Sequence, residues 1–502
     1  MKKYMSLVSL CYLALPFLIF SLTFLHLYIG IPISFLIVYC LYYCGLKKQW
    51  AVFTIEKKQS LIIAALAIFL CWISGIGGFY SQTGDYLVKN ALLSDLCNHS
   101  WPIYIELSEE SLEVQKIVGS DNVAFVYYLF FYLPAALVGK VFGLLVARVA
   151  FLLWSSFGLF LVLCHVVNYV SERKSTYRFQ FLLILLLFLS FGGLDILGEL
   201  RNVTFHTLKD IFIQYPIFSF CETWCMPFFR LWGGNVHDLA FVFNQCIPAW
   251  LITMLILDRK DNCTMFFVYS MSLLYTPWAA IGLFPIVVYL WFVDRKGEKF
   301  LSASYFKQTL NVSNIVFPLV LLFIVGSYYT SNEQSVGTKG WFFDFMSIND
   351  FCIYYPLFLL VEIGVYVALL RKQIFRIPIL TISFMVLLAL PFYHITPGND
   401  LLMRASIPAL FVFFVYWTKF AIENFSKKRI LICAIMVITS FSAIQQTLVP
   451  IWNLKKEHKI HIVDPIGSFY YIKTSSEAYM CDFQFFAHQY ENKFFFKYLA
   501  RR

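Results

Sequence analysis

The residues of this chain best suited to chemistry fall in three polar stretches. The first is residues 81–96, Ser-Gln-Thr-Gly-Asp-Tyr-Leu-Val-Lys-Asn-Ala-Leu-Leu-Ser-Asp-Leu. In a helix, Asp85 and Lys89 are four apart and share a face, with Asn90 beside them. The second stretch is 199–238, preceded by Asp195 and containing Glu222 and Trp224. It ends on His237 and Asp238 and leads into Asn244 and Gln245. The third is Pro397-Gly-Asn-Asp-Leu-Leu-Met-Arg-Ala-Ser-Ile-Pro408, where Asp400 and Arg404 are again four apart. A carboxylate within hydrogen-bond reach of a hydroxyl can take its proton. A guanidinium holds a phosphate or carboxylate through two parallel bonds, which an ammonium does not. Acids, a guanidinium and aromatics on one face suit an anionic, amphipathic or sugar-bearing ligand. Each stretch also has a plainer reading. Asp85–Lys89 is then an exposed pair on a loop helix, worth ~0–1 kcal/mol, and Asp400–Arg404 anchors a helix end.

What must position these residues is a membrane bundle. Hydrophobic residues make up 60% of the 502 and charged residues only 14%, and the mean hydropathy is +0.71. A soluble domain of this composition would expose large apolar patches to water. The apolar segments are continuous rather than alternating, so each satisfies its backbone within one helix of about 20 residues. The fold class expected is an all-α polytopic membrane protein with about thirteen transmembrane helices. They are placed near 5–27, 31–45, 61–80, 144–170, 178–198, 239–257, 263–275, 277–292, 313–331, 351–370, 375–393, 402–422 and 429–449. Segments 263–275 and 277–292 are short and, joined at Pro277, also read as one kinked helix. The chain divides into 1–60 with two N-terminal helices, a core over 61–425 with outer loops 81–122 and 199–238, a last span over 426–449, and an outer tail over 450–502.

The basic clusters set the orientation. Lys2 and Lys3, Lys47 and Lys48, Lys57 and Lys58, Arg173 and Lys174, Arg259 and Lys260, Arg295 and Lys296, Arg371 and Lys372, and Lys427 to Arg429 are expected on the cytoplasmic side. They share a side only if 123–139 does not cross. That stretch is therefore expected to be a helix at the outer interface, favoured by Tyr127, Tyr128, Phe130, Phe131 and Tyr132, with Lys140 and Arg148 snorkelling outward. A genuine span with one basic loop misplaced is the alternative. The N-terminus is then inside, and all three polar stretches lie on the outer face. The Met-Lys-Lys start, followed by an apolar run without a small-residue cleavage site, predicts a retained signal anchor.

Several classes fall away. The net charge of +10 sits in short clusters between spans, which suits topology signals and anionic lipid rather than nucleic acid. No Gly-rich nucleotide cradle is present, which argues against a nucleotide-driven pump. Cys11, Cys40, Cys71 and Cys164 lie in spans as small hydrophobes. Cys221 and Cys225 leave a disulfide or a metal role open, as do His458 and His461 for a metal. No clear motif fixes a divalent metal as cofactor. Glu362 is the other charge expected inside a span, supporting either the site or helix packing.

The order Gly84-Asp85…Lys89-Asn90…Trp101-Pro102, then Tyr127-Tyr128…Leu133-Pro134-Ala135…Gly139-Lys140, resembles the C-type (GT-C) integral-membrane glycosyltransferases, among them a group of bacterial multi-span proteins. Leu194-Asp195-Ile196-Leu197-Gly198, Thr276-Pro277-Trp278-Ala279-Ala280-Ile281-Gly282 and Asn399-Asp400…Arg404-Ala405-Ser406-Ile407-Pro408 extend the likeness over about residues 61–425. The resemblance implies transfer of a sugar from a polyprenyl-phosphate carrier to a glycan, lipid or protein acceptor at the outer face of the cytoplasmic membrane. It makes Asp85 the candidate base and Arg404 the carrier-phosphate contact, assisted by Lys89. Asn90, Asp195, Glu222, His237, Gln245 and Asp400 complete the expected substrate-binding set. The sequence departs from the family pattern in having two extra spans before the acidic loop and no paired acidic motif, which leaves metal dependence open. A transporter or flippase of lipid-linked sugars, and a polysaccharide polymerase or ligase, are the other classes compatible with the same residues.

Overall fold

One helix, Asn235–Asp258, runs through the middle of the bundle, and 94% of its most apolar 18-residue window is buried. In the computed structural model the residues described are 4–46, 53–80, 82, 85–106, 122–171, 178–194, 196–197, 229, 233–293, 302–332, 339–395, 399–441, 443–444, 447 and 486–501. Their helices in chain order are α1 Met5–Thr23, α2 Leu27–Leu46, α3 Lys57–Ile73, α4 Tyr86–Asn98, α5 Leu133–Phe142, α6 Leu144–Val170, α7 Arg178–Ser190 and α8 Asn235–Asp258. There follow α9 Met265–Ser270, α10 Ser272–Tyr275, α11 Pro277–Val293, α12 Ala303–Thr309, α13 Val316–Tyr329, α14 Ile348–Leu359, α15 Val365–Ile374, α16 Pro378–Ala389, α17 Asp400–Ala405 and α18 Ile407–Thr439. Among the described residues, six helical stretches are long and apolar enough to cross a membrane: Met5–Thr23, Leu27–Gly45, Leu144–Val170, Asn235–Asp258, Ile348–Ile374 and Asp400–Thr439. The chain is a helical membrane protein. In contrast to α8, the window in α2 is only 28% buried, and Phe35, Val38 and Tyr42 on it are exposed. A helix apolar all round and uncovered by protein is one that faces lipid.

Several expected boundaries move. The single helix expected over 123–139 is instead a strand, a short 3-10 turn and a helix: β2 Asn122–Phe125, then Phe130–Tyr132, then α5. Pro134 in the first turn of α5 pre-sets the helical φ there. The residues before it pair instead, β2 lying antiparallel to β1 Tyr104–Glu106 on one side and β3 Phe486–His488 on the other. A central strand of apolar Val123, Ala124 and Phe125 buries both faces, a stronger claim on those residues than an isolated interfacial helix would have. At Gly143, φ +87 reverses the chain directly from α5 into α6. The kinked helix considered across Pro277 is two elements, because Thr276 is extended (φ −170°, ψ 132°). The two last spans expected join as α18, bent at Lys428 (φ −126°, ψ 27°).

The end of the chain returns to the first helix. Leu25 bridges Ala500, His26 N–H donates to the Leu499 carbonyl, and Arg501 N–H donates to that of Phe24. Phe20, Phe130, Tyr328 and Phe495 pack around this seam, Tyr328 edge to face with the other three rings and Phe20 tilted against Phe130 and Phe495. The sheet, the seam and the loop after α3 thus mark one end of the bundle. Residues 53–56, the last turn of α6 and Asp258 mark the other.

Candidate functional site

The site assembles at the sheet end, and α4 is its first wall. Asp85 stands exposed immediately before the helix. The Tyr86 hydroxyl behind it donates to the Ser74 carbonyl at 2.5 Å, tying α4 to the end of α3. Lys89 lies one turn on. Its ammonium donates to the Phe241 carbonyl and sits 4.5 Å from the Tyr86 ring and 5.2 Å from that of Phe243. That carbonyl is available because α8 breaks its helical geometry at Val242 (φ −134°, ψ 33°). The cation therefore answers a backbone acceptor released by a kink, a common way to re-satisfy a broken helix in a membrane bundle.

The second wall is α17. Asn399 at its N-cap takes a left-handed conformation (φ 50°, ψ 56°), and its side-chain oxygen accepts from Leu402 N–H at 3.3 Å. This cap sets Asp400 and Arg404 on one face. Arg404 Nε lies 3.2 Å from Asp400 Oδ1, with side-chain exposures of 19% and 21%. Nε nevertheless has no hydrogen-bond partner among the described residues. Gly282 lets α11 press against the Ala405 backbone, since any Cβ there would overlap the Ala405 carbonyl.

The two walls meet. Arg404 acts electrostatically on Lys89, Tyr127 and Tyr128, and Asp85 acts on Arg404, Lys89 and Tyr127. The Lys89 ammonium is held down at about 8, chiefly by burial, with Asp85 opposing the shift and Arg404 adding to it. Burial pushes the Tyr127 and Tyr128 hydroxyls up, and Arg404 draws them back. Tyr128 also hydrogen-bonds Trp278, and its ring packs 5.4 Å from Tyr329. The sequence reading placed these two tyrosines in an interfacial helix and in the order that carries the resemblance, without a role in the site. Their adjacency in the aromatic run was the available signal, but nothing in it pointed to Arg404.

The remaining expected residues divide. Asn90 donates to Gln82 Oε1 at 2.8 Å, while Gln82 donates to the Gly75 carbonyl at 2.7 Å. Asn90 thus closes the turn before α4, which is a structural use. His237 is buried in the first turn of α8, stacked 4.3 Å from Phe241, the residue whose carbonyl Lys89 reaches. Gln245 is buried one turn beyond the kink, its Oε1 without a hydrogen-bond partner among the described residues. Asp195, Glu222, Cys221, Cys225, His458 and His461 lie outside the described residues. Arg148, expected to snorkel, turns inward and donates to the Gly77 and Gly78 carbonyls at 2.8 and 3.1 Å. Lys140 donates to the His99 carbonyl beside the Trp101 ring. Glu362 is 4% exposed, in a π turn over Leu360–Gly364. Among the described residues no group of three or more His, Cys, Asp and Glu gathers as a metal site would.

Comparison with protein-family models, curated proteins and solved structures finds no match. The functional reading therefore rests on this geometry.

Proposed function

We propose that the chain is a glycosyltransferase that moves a sugar from a polyprenyl-phosphate carrier to an acceptor at the outer face of a cytoplasmic membrane, with a GT-C-like core and about thirteen spans. The observation that carries this reading is the electrostatic influence of Arg404 on Lys89 and of Asp85 on Arg404, residues more than 300 positions apart in the chain. In the reaction the acceptor hydroxyl attacks the anomeric carbon and forms the new C–O bond. Its proton passes to the exposed Asp85 carboxylate as the bond from the anomeric carbon to the phosphate oxygen breaks. The electron pair leaves with the lipid phosphate, which Arg404 receives through the N–H groups that Asp400 orients, with Lys89 adding charge. Tyr127 and Tyr128 supply aromatic faces for the sugar between the walls.

The spacing of polar centres along α8 supports a site at a membrane face. Phe241 at the site and Asp258 at the far end are 17 residues apart, about 25 Å at the helical rise. That is close to the ~30 Å of a hydrocarbon core. A transporter of lipid-linked sugars is the competing reading, and the buried Glu362 in a π turn is the observation that favours it. Proteoliposomes loaded with a radiolabelled polyprenyl-phosphate sugar test both. A new glycosidic bond that disappears with Asp85→Asn supports transfer. Movement of the lipid-linked sugar across the bilayer without a new bond supports transport, and chain extension rather than single addition identifies a polymerase.

A further inference from the structure

At the end of the bundle away from the site, three helices meet on a polar cluster that the proposed reaction does not use. His165 of α6 lies with Nδ1 2.7 Å from Asp258 Oδ2 of α8, and its Nε2 lies 3.0 Å from Ser9 Oγ of α1. Ser9, His165 and Asp258 all have 0% exposure. The Phe53 ring closes over the imidazole edge-on at 4.8 Å. The other Asp258 oxygen, Oδ1, is buried with no hydrogen-bond partner among the described residues.

The hydrogen bonds count the protons. A hydroxyl has one proton to give, and that of Ser9 goes to the Met5 carbonyl at 3.0 Å, one turn back in its own helix. Ser9 Oγ therefore accepts from His165, which puts a proton on Nε2. The 2.7 Å contact on the other side of the ring then needs a second proton between Nδ1 and Oδ2. On nitrogen it makes an imidazolium beside a carboxylate; on oxygen, a neutral imidazole beside a carboxylic acid. The cluster is neutral overall in either case. The opposite arrangement, with Ser9 donating to Nε2 and His165 to a carboxylate, strips Met5 of its bond. It also puts a full carboxylate charge, with one oxygen unsatisfied, beside a neutral imidazole inside the bundle, where burial of charge is costly.

We infer that Ser9, His165 and Asp258 form a proton-binding site on this end of the bundle, holding a proton between His165 and Asp258 that is released only when α1 separates from α6 and admits water. Arg259 is engaged with Asn262 Oδ1 and the Ile256 carbonyl. Asp258 and Arg259 both act on Tyr169, one turn along α6 from His165. The Tyr169 hydroxyl meets that of Tyr416 at 3.3 Å, and the Lys419 ammonium lies 4.5 Å from its ring, both from α18. Lys260, the next residue after Arg259, is exposed. Ser9, although arranged like a nucleophile beside a base, is sealed from any substrate. The inference is independent of the reaction at the sheet end.

The test uses the full chain in lipid nanodiscs with 15N-labelled histidine, the His165 signals being assigned by their loss in H165Q. Both ring nitrogens are expected to resonate with Nε2 protonated. An unprotonated Nε2 would overturn the assignment. Hydrogen exchange of α1, corrected for its intrinsic pH dependence, is expected to speed up as pH rises and the shared proton leaves. D258N, which keeps a donor opposite Nδ1 with no charge to expose, is expected to fold and to show flat exchange. Equal pH dependence in wild type and D258N would refute the coupling to α1, and fluorophosphonate labelling of Ser9 would show an open nucleophile instead. If H165Q fails to fold, the exchange comparison with D258N still decides.

Discussion

The two polar centres strung along α8 use similar residues to opposite ends. At the sheet end, Asp85 is exposed, Asp400 and Arg404 are about four-fifths buried, and the side chains come from α4, the 127–128 segment and α17. At the far end, Ser9, His165 and Asp258 come from three helices too, yet have no exposure at all. An acid beside a base open to water offers its lone pairs to a ligand. The same pair sealed among Phe53 and the helix walls can only settle its own proton balance. What separates a ligand site from an internal proton site is therefore access, and access is a property of packing rather than of residue type.

The largest effect expected is at Asp85. Asp85→Asn is expected to lower sugar transfer by ~10²–10⁴-fold while membrane expression stays at wild-type level. Wild-type turnover in that variant would erase the functional side of the comparison. Next, Arg404→Lys keeps the charge but loses the planar fork, and is expected to weaken polyprenyl-phosphate binding about tenfold (~1.4 kcal/mol), measured with lipid-phosphate titrations in nanodiscs. An unchanged affinity would return Arg404 to anchoring α17 through Asp400.

The pH dependence is the third. Lys89 is held down to about 8 by burial. Its charge is complete well below that pH and is lost as pH rises through it, so affinity for an anionic headgroup is expected to fall across that interval. Lys89→Arg should flatten the profile. For stability the sign is the reverse. The folded chain binds this proton less tightly than the unfolded chain, whose lysine keeps the ordinary 10.5. Keeping Lys89 charged therefore costs stability below about 8, and the cost is relieved between that pH and 10.5. Thermal unfolding of wild type against Lys89→Met across this range checks it. The smallest effect is expected at Asn90. Asn90→Ala removes two bonds with Gln82, at 2.8 and 3.4 Å, costing about 1 kcal/mol of stability with little change in transfer. A large loss of transfer would place Asn90 on the substrate instead.

Much of the scaffold was legible in the residues. The helices expected near 144–170, 239–257 and 313–331 match α6, α8 and α13 to within a few residues, because a long apolar run has few other ways to satisfy its backbone. The site was legible as parts. Asp400 and Arg404 announce a pair through their four-residue spacing, which the helix realises at 3.2 Å. Lys89 did not announce its use, because its acceptor exists only where α8 kinks at Val242. The strand at Asn122–Phe125 was missed because its partners lie at Tyr104–Glu106 and Phe486–His488, the second of them hundreds of positions away.

Composition and local pattern alone determined that this chain lives in a membrane, where its helices run, and which few side chains are too polar to be there without a reason. Those properties depend on transfer from water and on bonds within one turn of helix. Tertiary structure decided that Asp85 acts on the charge of Arg404, that the tail closes on Leu25, and that Ser9, His165 and Asp258 touch inside the bundle. Coulomb contacts and burial depend on distances between segments far apart in the chain, and no local window of residues contains them.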